Sequence, residues 1–167
     1  MDKELYDLAE RVGLTLKGAG LTLATAESCT GGWVGQAVTM IPGSSDWYDR
    51  GFIVYTNTSK REMLGVMPET LERFGAVSEP TVREMAQGAL DHSRAQIAVA
   101  VSGIAGPSGG SADKPVGTVC LAWARVNGSV WAETRRFGGD RDAVRRQAVI
   151  RTLERLLELI GGGSAFA

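Results

Sequence analysis

The chain has 167 residues, with 44% hydrophobic and 22% charged side chains and a formal net charge of −1 at pH 7. That length fits one ordinary domain, and that composition can bury a core and excludes disorder. The balanced charge argues against nucleic acid as the main partner. No apolar run is long enough for a membrane span, and the charged start Met1-Asp2-Lys3-Glu4 is not a secretion signal.

Two cysteines, Cys29 and Cys120, lie far apart and form no metal-type pair. Nothing points to an oxidising compartment, so the expected location is the cytoplasm. His92 is the only histidine, which excludes chemistry needing several. Asp, Glu and His do not cluster at metal-ligand spacing, so no metal is expected; nor is a cofactor.

In chain order, Leu5, Leu8, Ala9, Val12 and Leu16 recur at helical spacing. Residues 3 to 18 therefore read as an amphipathic helix closed by Gly18 and Gly20. Leu21 to Ala26 reads as a first strand. It runs into Glu27-Ser28-Cys29-Thr30, and a helical pattern from Gly31 to Ile41 stops at Pro42-Gly43. Trp47, beside that loop, is a candidate for a subunit contact. Gly51 to Tyr55 is nearly all apolar or aromatic and reads as a second strand covered on both faces.

A short helix follows to Leu64, with Asn57 or Thr58 as N-cap and Gly65 as stop. Pro68 to Gly75 reads as another short helix, and Ser78-Glu79-Pro80 opens a longer one to about Ser93. Gln96 to Val101 is a third buried strand, and a glycine-rich loop runs from Ser102 to Ser111. Val116–Arg125 and Ser129–Phe137 read as a hairpin whose Asn127-Gly128 predicts a type I′ turn. Asp140 caps a last helix from Arg141 to Ile160. One domain of residues 1–160 is expected, with residues 161–167 as a tail.

This order predicts an α/β fold with helices on both faces of a mixed sheet. Ligands of such sheets bind beyond the carboxyl ends of the parallel strands. Polar or glycine-rich loops follow Ala26, Tyr55 and Val101. Their coincidence predicts a single site.

At that edge Ser28 is a candidate nucleophile, with the N–H groups from Cys29 to Gly31 as a possible oxyanion hole. It reads equally well as a helix N-cap. Cys29, a thiol at a helix start, is the rival nucleophile. A serine needs a base. His92 falls on a helix away from the strand ends, which leaves lysine as the established alternative. Lys60 and Lys114 compete for that part, against the plain reading of a solvated lysine. Glu27 either orients the lysine or binds substrate, or is simply a helix-start carboxylate.

Arg141 and Arg145 share a helix face. Arg141 sits in a first turn, where the helix dipole disfavours a cation, which is explained if it meets an anion such as a phosphate. A salt-bridged surface helix is the competing reading. Ser102 and the backbone from Gly103 to Gly106 could line an acyl or sugar pocket.

The segments Thr25-Ala26-Glu27-Ser28-Cys29-Thr30-Gly31-Gly32, Gly51-Phe52-Ile53-Val54-Tyr55-Thr56-Asn57, Gly75-Ala76-Val77-Ser78-Glu79, Ser102-Gly103-Ile104-Ala105-Gly106-Pro107, Lys114-Pro115-Val116-Gly117-Thr118-Val119 and Gly139-Asp140-Arg141 resemble the CinA C-terminal domain family. The resemblance runs from about residue 5 to 160, with the motifs in matching order. It implies a three-layer α/β/α sandwich around a mixed, mostly parallel sheet, in proteins that are often dimers. It implies hydrolysis of the carboxamide of nicotinamide mononucleotide (NMN) to nicotinate mononucleotide and ammonia, in pyridine nucleotide salvage, without a metal. The family's serine–lysine pair matches Ser28 and Lys60, its tyrosine matches Tyr55, and its arginine matches Arg141 or Arg145. A hydroxyl residue of the glycine-rich loop matches Ser102. Glu27, Thr30, Gly31, Gly32 and Gly103 complete the expected binding surface. The alternative is a nucleotide-binding or regulatory domain of the same family without turnover.

Overall fold

The computed structural model describes residues 1–162. Five strands form one sheet: β1 (Leu23–Glu27), β2 (Tyr48–Ile53), β3 (Ile97–Gly103), β4 (Thr118–Arg125) and β5 (Val130–Arg136). Their order is β2-β1-β3-β4-β5. β1 pairs in parallel with β2 and β3, while β4 runs antiparallel to both β3 and β5.

The apolar strands alternate large and small side chains, and this divides the molecule into layers. Leu23, Ile97, Val99, Val101, Val119, Leu121 and Trp123 project to one face. There they meet α1 (Lys3–Ala19), α2 (Trp33–Thr39) and α6 (Arg141–Gly161). Ala24, Ala26, Ala98, Ala100, Cys120, Ala122 and Ala124 project to the other. Their short side chains let α5 (Glu79–Asp91) lie close to the sheet, flanked by α3 (Asn57–Leu64) and α4 (Pro68–Phe74). Successive strand residues point to opposite faces, so seven alanine or cysteine positions in register carve a flat bed for one helix.

Several local expectations are corrected. β2 begins three residues earlier than its apolar run and lies at the sheet edge, so it is not covered on both faces; Ile53 is 54% exposed. Trp47 is buried in the core against Gly13, where a Cβ would lie 2.6 Å from the indole, and so is no surface contact. α3 takes Thr56 as its N-cap, in a capping box with Ser59. In the β4–β5 turn Gly128 is left-handed (φ 95°) but Asn127 is not, which rules out type I′. α6 runs through Gly161, one residue into the expected tail, and the rest of that tail from 163 lies outside the described residues.

The connection from β1 leads to one side of it, to β2, and the chain then returns to β3 on its other side. Such a reversal opens a crevice at the carboxyl ends of the strands. β1, β2 and β3 all end at that edge, which is where Ser28 and Tyr55 follow β1 and β2 and where Ser102, expected in the loop, lies in the last residues of β3.

Candidate active site

Ser28 follows β1 directly, its N–H bonded to the Val101 carbonyl of β3 at 2.9 Å. The chain then turns through Gly31 (φ 60°) and Gly32 (φ 103°) before α2 begins. Two consecutive left-handed residues need glycine, because a Cβ would strain both. The turn thus takes up residues expected in the helix.

Lys60 projects from the first turns of α3 and is 1% exposed. Its Nζ donates to Ser28 Oγ at 3.0 Å and to the carbonyls of Val54 at 3.0 Å and Tyr55 at 3.3 Å. Burial pushes its ammonium below the ordinary lysine range, since the charged form is poorly solvated there. The competing Lys114 is elsewhere: its Nζ donates to the Phe74 carbonyl at 2.7 Å. Cys29 points into the core, 5% exposed, and burial pushes its thiol up to about 12. A thiol so shielded is a poor nucleophile.

A pocket of about 240 Å³ opens over the pair, and Ser28, Lys60, Tyr55, Ser102, Gly103 and Arg141 all line it. Ser102 is 1% exposed, and its hydroxyl has no hydrogen-bond partner among the described residues. Arg141 donates to the Gly106 carbonyl at 2.9 Å and to the Tyr55 hydroxyl at 3.1 Å. It also lines an adjoining groove of about 660 Å³, walled by the loop at Ala105, Pro107 and Val116 and by the start of α6. Arg145 lines that groove and not the smaller pocket.

Other expected site residues lie outside the pocket. Glu27 is 2% exposed and turned beneath α2, where it accepts from Thr30 Oγ1 at 2.6 Å and from the N–H groups of Val34 and Gly35 at 2.8 and 3.0 Å. The carboxylate therefore occupies the positive end of α2, and that helix start is closed to any ligand. Thr30 is fully buried with it. Gly31 and Gly32 shape the turn but do not face the pocket. The Gly31 N–H is bonded to the Ser28 carbonyl at 3.1 Å, which removes it from the expected oxyanion hole. The N–H groups of Cys29 and Thr30 make no backbone hydrogen bond among the described residues.

Cys29, Asn57, Ala76, Val77 and Ala105 also line the pocket. Asn57 was legible in principle, since it stands three residues before Lys60 and shares its helix face. Ala76 and Val77 arrive through the α4–α5 connection and carried no local signal. Among the described residues no cluster of His, Cys, Asp and Glu is placed to hold a metal ion. No helix among them is long and apolar enough to cross a membrane.

A mixed five-stranded sheet with a buried serine–lysine pair at its carboxyl edge makes this an α/β domain with a candidate active site at that edge. The profile of the CinA C-terminal domain matches residues 5–160, and the chain belongs to that family. It is 56% identical over 155 residues to nicotinamide-nucleotide amidohydrolase PncC of Escherichia coli K12, covering 93% of this chain and 94% of the relative. The protein of that name from Pseudomonas putida is 51% identical over 153 residues, covering 91% and 94%. Among solved structures, competence/damage inducible protein CihA of Agrobacterium tumefaciens superposes with a TM-score of 0.89 at 52% identity, covering 92% and 93%.

Proposed function

We propose that this protein hydrolyses the carboxamide of NMN to nicotinate mononucleotide and ammonia, with Ser28 as nucleophile and Lys60 as base. The observation that carries the reading is the 3.0 Å contact between Lys60 Nζ and Ser28 Oγ inside a pocket. The amidohydrolase relatives supply the substrate.

A neutral amine has two N–H donors and one lone pair. Two carbonyls, of Val54 and Tyr55, take the donors, and the lone pair then faces the serine hydroxyl. Lys60 accepts the Ser28 proton as Oγ bonds to the carboxamide carbon. The oxyanion that forms is held by the Cys29 N–H beside the nucleophile. The C–N bond then breaks, Lys60 returns the proton, and ammonia leaves an acyl-serine. Water gives a proton to Lys60 and adds to the acyl carbon. Ser28 leaves with that proton, and the acid product gives its own proton to the released ammonia, leaving a carboxylate.

The small pocket takes the carboxamide ring, with the unpartnered Ser102 hydroxyl beside the Gly103 backbone as its polar contact. Tyr55 holds Arg141 through its hydroxyl, and Arg141 meets the 5′-phosphate at the mouth of the larger groove. Pyridine nucleotide salvage in the cytoplasm is the corresponding role. A homo-oligomer is proposed as the working form, because the edge strands leave Ile53 and Trp131 exposed at 54% and 46%.

Ammonia release from NMN by the purified protein, with and without chelator, tests the activity. Turnover unaffected by chelator is expected. NMN binding without ammonia would replace the enzyme by a nucleotide-binding domain.

A further inference from the structure

Arg141 and Arg145 stand one turn apart at the start of α6 but use their guanidinium groups differently. Arg141 is exposed at the junction of the two cavities, where among the described residues two of its five N–H groups are taken, by the Gly106 carbonyl and the Tyr55 hydroxyl. Arg145 is half-buried and directed at the backbone of the nucleophile's turn. Its Nε donates to the Cys29 carbonyl at 3.0 Å and its Nη2 to the Thr30 carbonyl at 3.3 Å. Its guanidinium also lies over the Trp33 ring, 5.4 Å from the centroid.

Within the turn the Gly31 N–H bonds to the Ser28 carbonyl at 3.1 Å and the Trp33 N–H to the Thr30 carbonyl at 3.0 Å, and Arg145 adds a side-chain grip on its outer side. Gly31 and Gly32 are both left-handed, and Gly32 caps α2 without a side-chain bond. Glu27 holds the inner side, through Thr30 Oγ1 and the first N–H groups of α2. A peptide unit is planar, so fixing the Cys29 carbonyl toward α6 fixes the Thr30 N–H in the opposite direction. A cation on that carbonyl also polarises the amide into a stronger donor. Only a planar fork reaches two successive carbonyls and stacks on an indole at once, which explains arginine over lysine.

We infer that Arg145 is a positioning residue, a clamp from α6 that holds residues 29–31 so that Ser28 keeps its line of attack, and that it does not bind the substrate's phosphate. The inference rests on the reading of Ser28 as nucleophile.

Steady-state kinetics with NMN on Arg145→Ala, Arg145→Lys and Arg141→Ala test it. Arg145→Ala is expected to lower kcat about 100-fold, the loss typical of groups displaced by about 1 Å. Its KM should change less than about threefold, because no ground-state contact is lost. Arg145→Lys should recover about tenfold of that loss, since an ammonium reaches one carbonyl. Arg141→Ala should instead raise KM. Amide hydrogen exchange over residues 28–33 should quicken in Arg145→Ala and stay unchanged in Arg141→Ala.

A raised KM with unchanged kcat in the Arg145 variants would overturn the inference, as would unchanged exchange over 28–33. If Arg145→Ala does not fold, Arg145→Lys carries both measurements. Full activity in Ser28→Ala would remove the nucleophile reading instead, and the exchange result would still decide the clamp.

Discussion

At the residue scale the Lys60 contact separates two neighbours that sequence alone could not. Ser28 faces Lys60, and Cys29 faces the core with its thiol pushed up to about 12. Ser28→Ala should lower kcat for ammonia release by roughly 10⁴-fold or more, as loss of an activated nucleophile does elsewhere. Cys29→Ala should keep most of the activity, and the reverse pattern would move the nucleophile to the thiol. The depressed lysine also sets two pH dependences. Below its folded-state pKa Lys60 is protonated and cannot accept the serine proton, so kcat/KM should rise with pH through that value, which lies below the ordinary 10.5. Stability follows the same sign. Between the folded and unfolded values the unfolded chain binds more protons, so the burial penalty shrinks as pH rises, by about 1.4 kcal/mol per unit of depression. Denaturant melts of wild type and Lys60→Met should therefore diverge in favour of wild type as pH is raised toward 10.5. Parallel pH profiles for the two proteins would contradict the depressed lysine.

At the element scale the site depends on how closely α3 and α5 approach. A Cβ on Gly88 of α5 would lie 2.0 Å from the Leu64 carbonyl oxygen, at the end of the helix that carries Lys60. Gly88→Ala should then destabilise the protein by about 1–3 kcal/mol, the usual range for overpacking, and lower activity as Lys60 shifts from Ser28. Thermal unfolding and ammonia release check the two effects together. Under α2 the buried Glu27 accepts two N–H groups and one hydroxyl. Glu27→Gln keeps the shape but replaces one acceptor oxygen by a donor facing an N–H. A loss of about 1.5–3 kcal/mol is expected, as for hydrogen bonds to charged groups. An unchanged denaturation midpoint would show that the turn is held without it. The same geometry explains why a carboxylate inside a catalytic-looking motif reads misleadingly in sequence. It lies next to Ser28 in the chain, yet alternation along the strand turns it to the opposite face.

For the whole molecule, the outstanding expectation is assembly. Exposed Ile53 at the edge strand and Trp131 on β5 favour self-association, so sedimentation should give a species heavier than the 17.7 kDa chain, and Ile53→Lys should shift it toward monomer. A monomer at micromolar concentration would remove the oligomer. The fold class and element order were legible because periodicity and punctuation are local: an i, i+3, i+4 stripe makes α1, and prolines or glycines mark the ends of α2, α3 and α4. The candidate pair was legible as well, since polar residues after buried strands gather at one sheet edge. Edge position was not, because an apolar run at Gly51–Tyr55 does not say whether a second strand will lie beside it. Nor was the direction of Arg145, whose carbonyl partners lie 116 and 115 residues away. Sequence by itself determined which helices and strands form and which polar groups reach the carboxyl edge, because short-range sterics and hydrophobic spacing decide these. Only the tertiary structure decided that Ser28 rather than Cys29 meets Lys60, that Glu27 closes the start of α2 and that Arg145 grips the turn, because those contacts depend on the side to which each residue turns once the layers have packed.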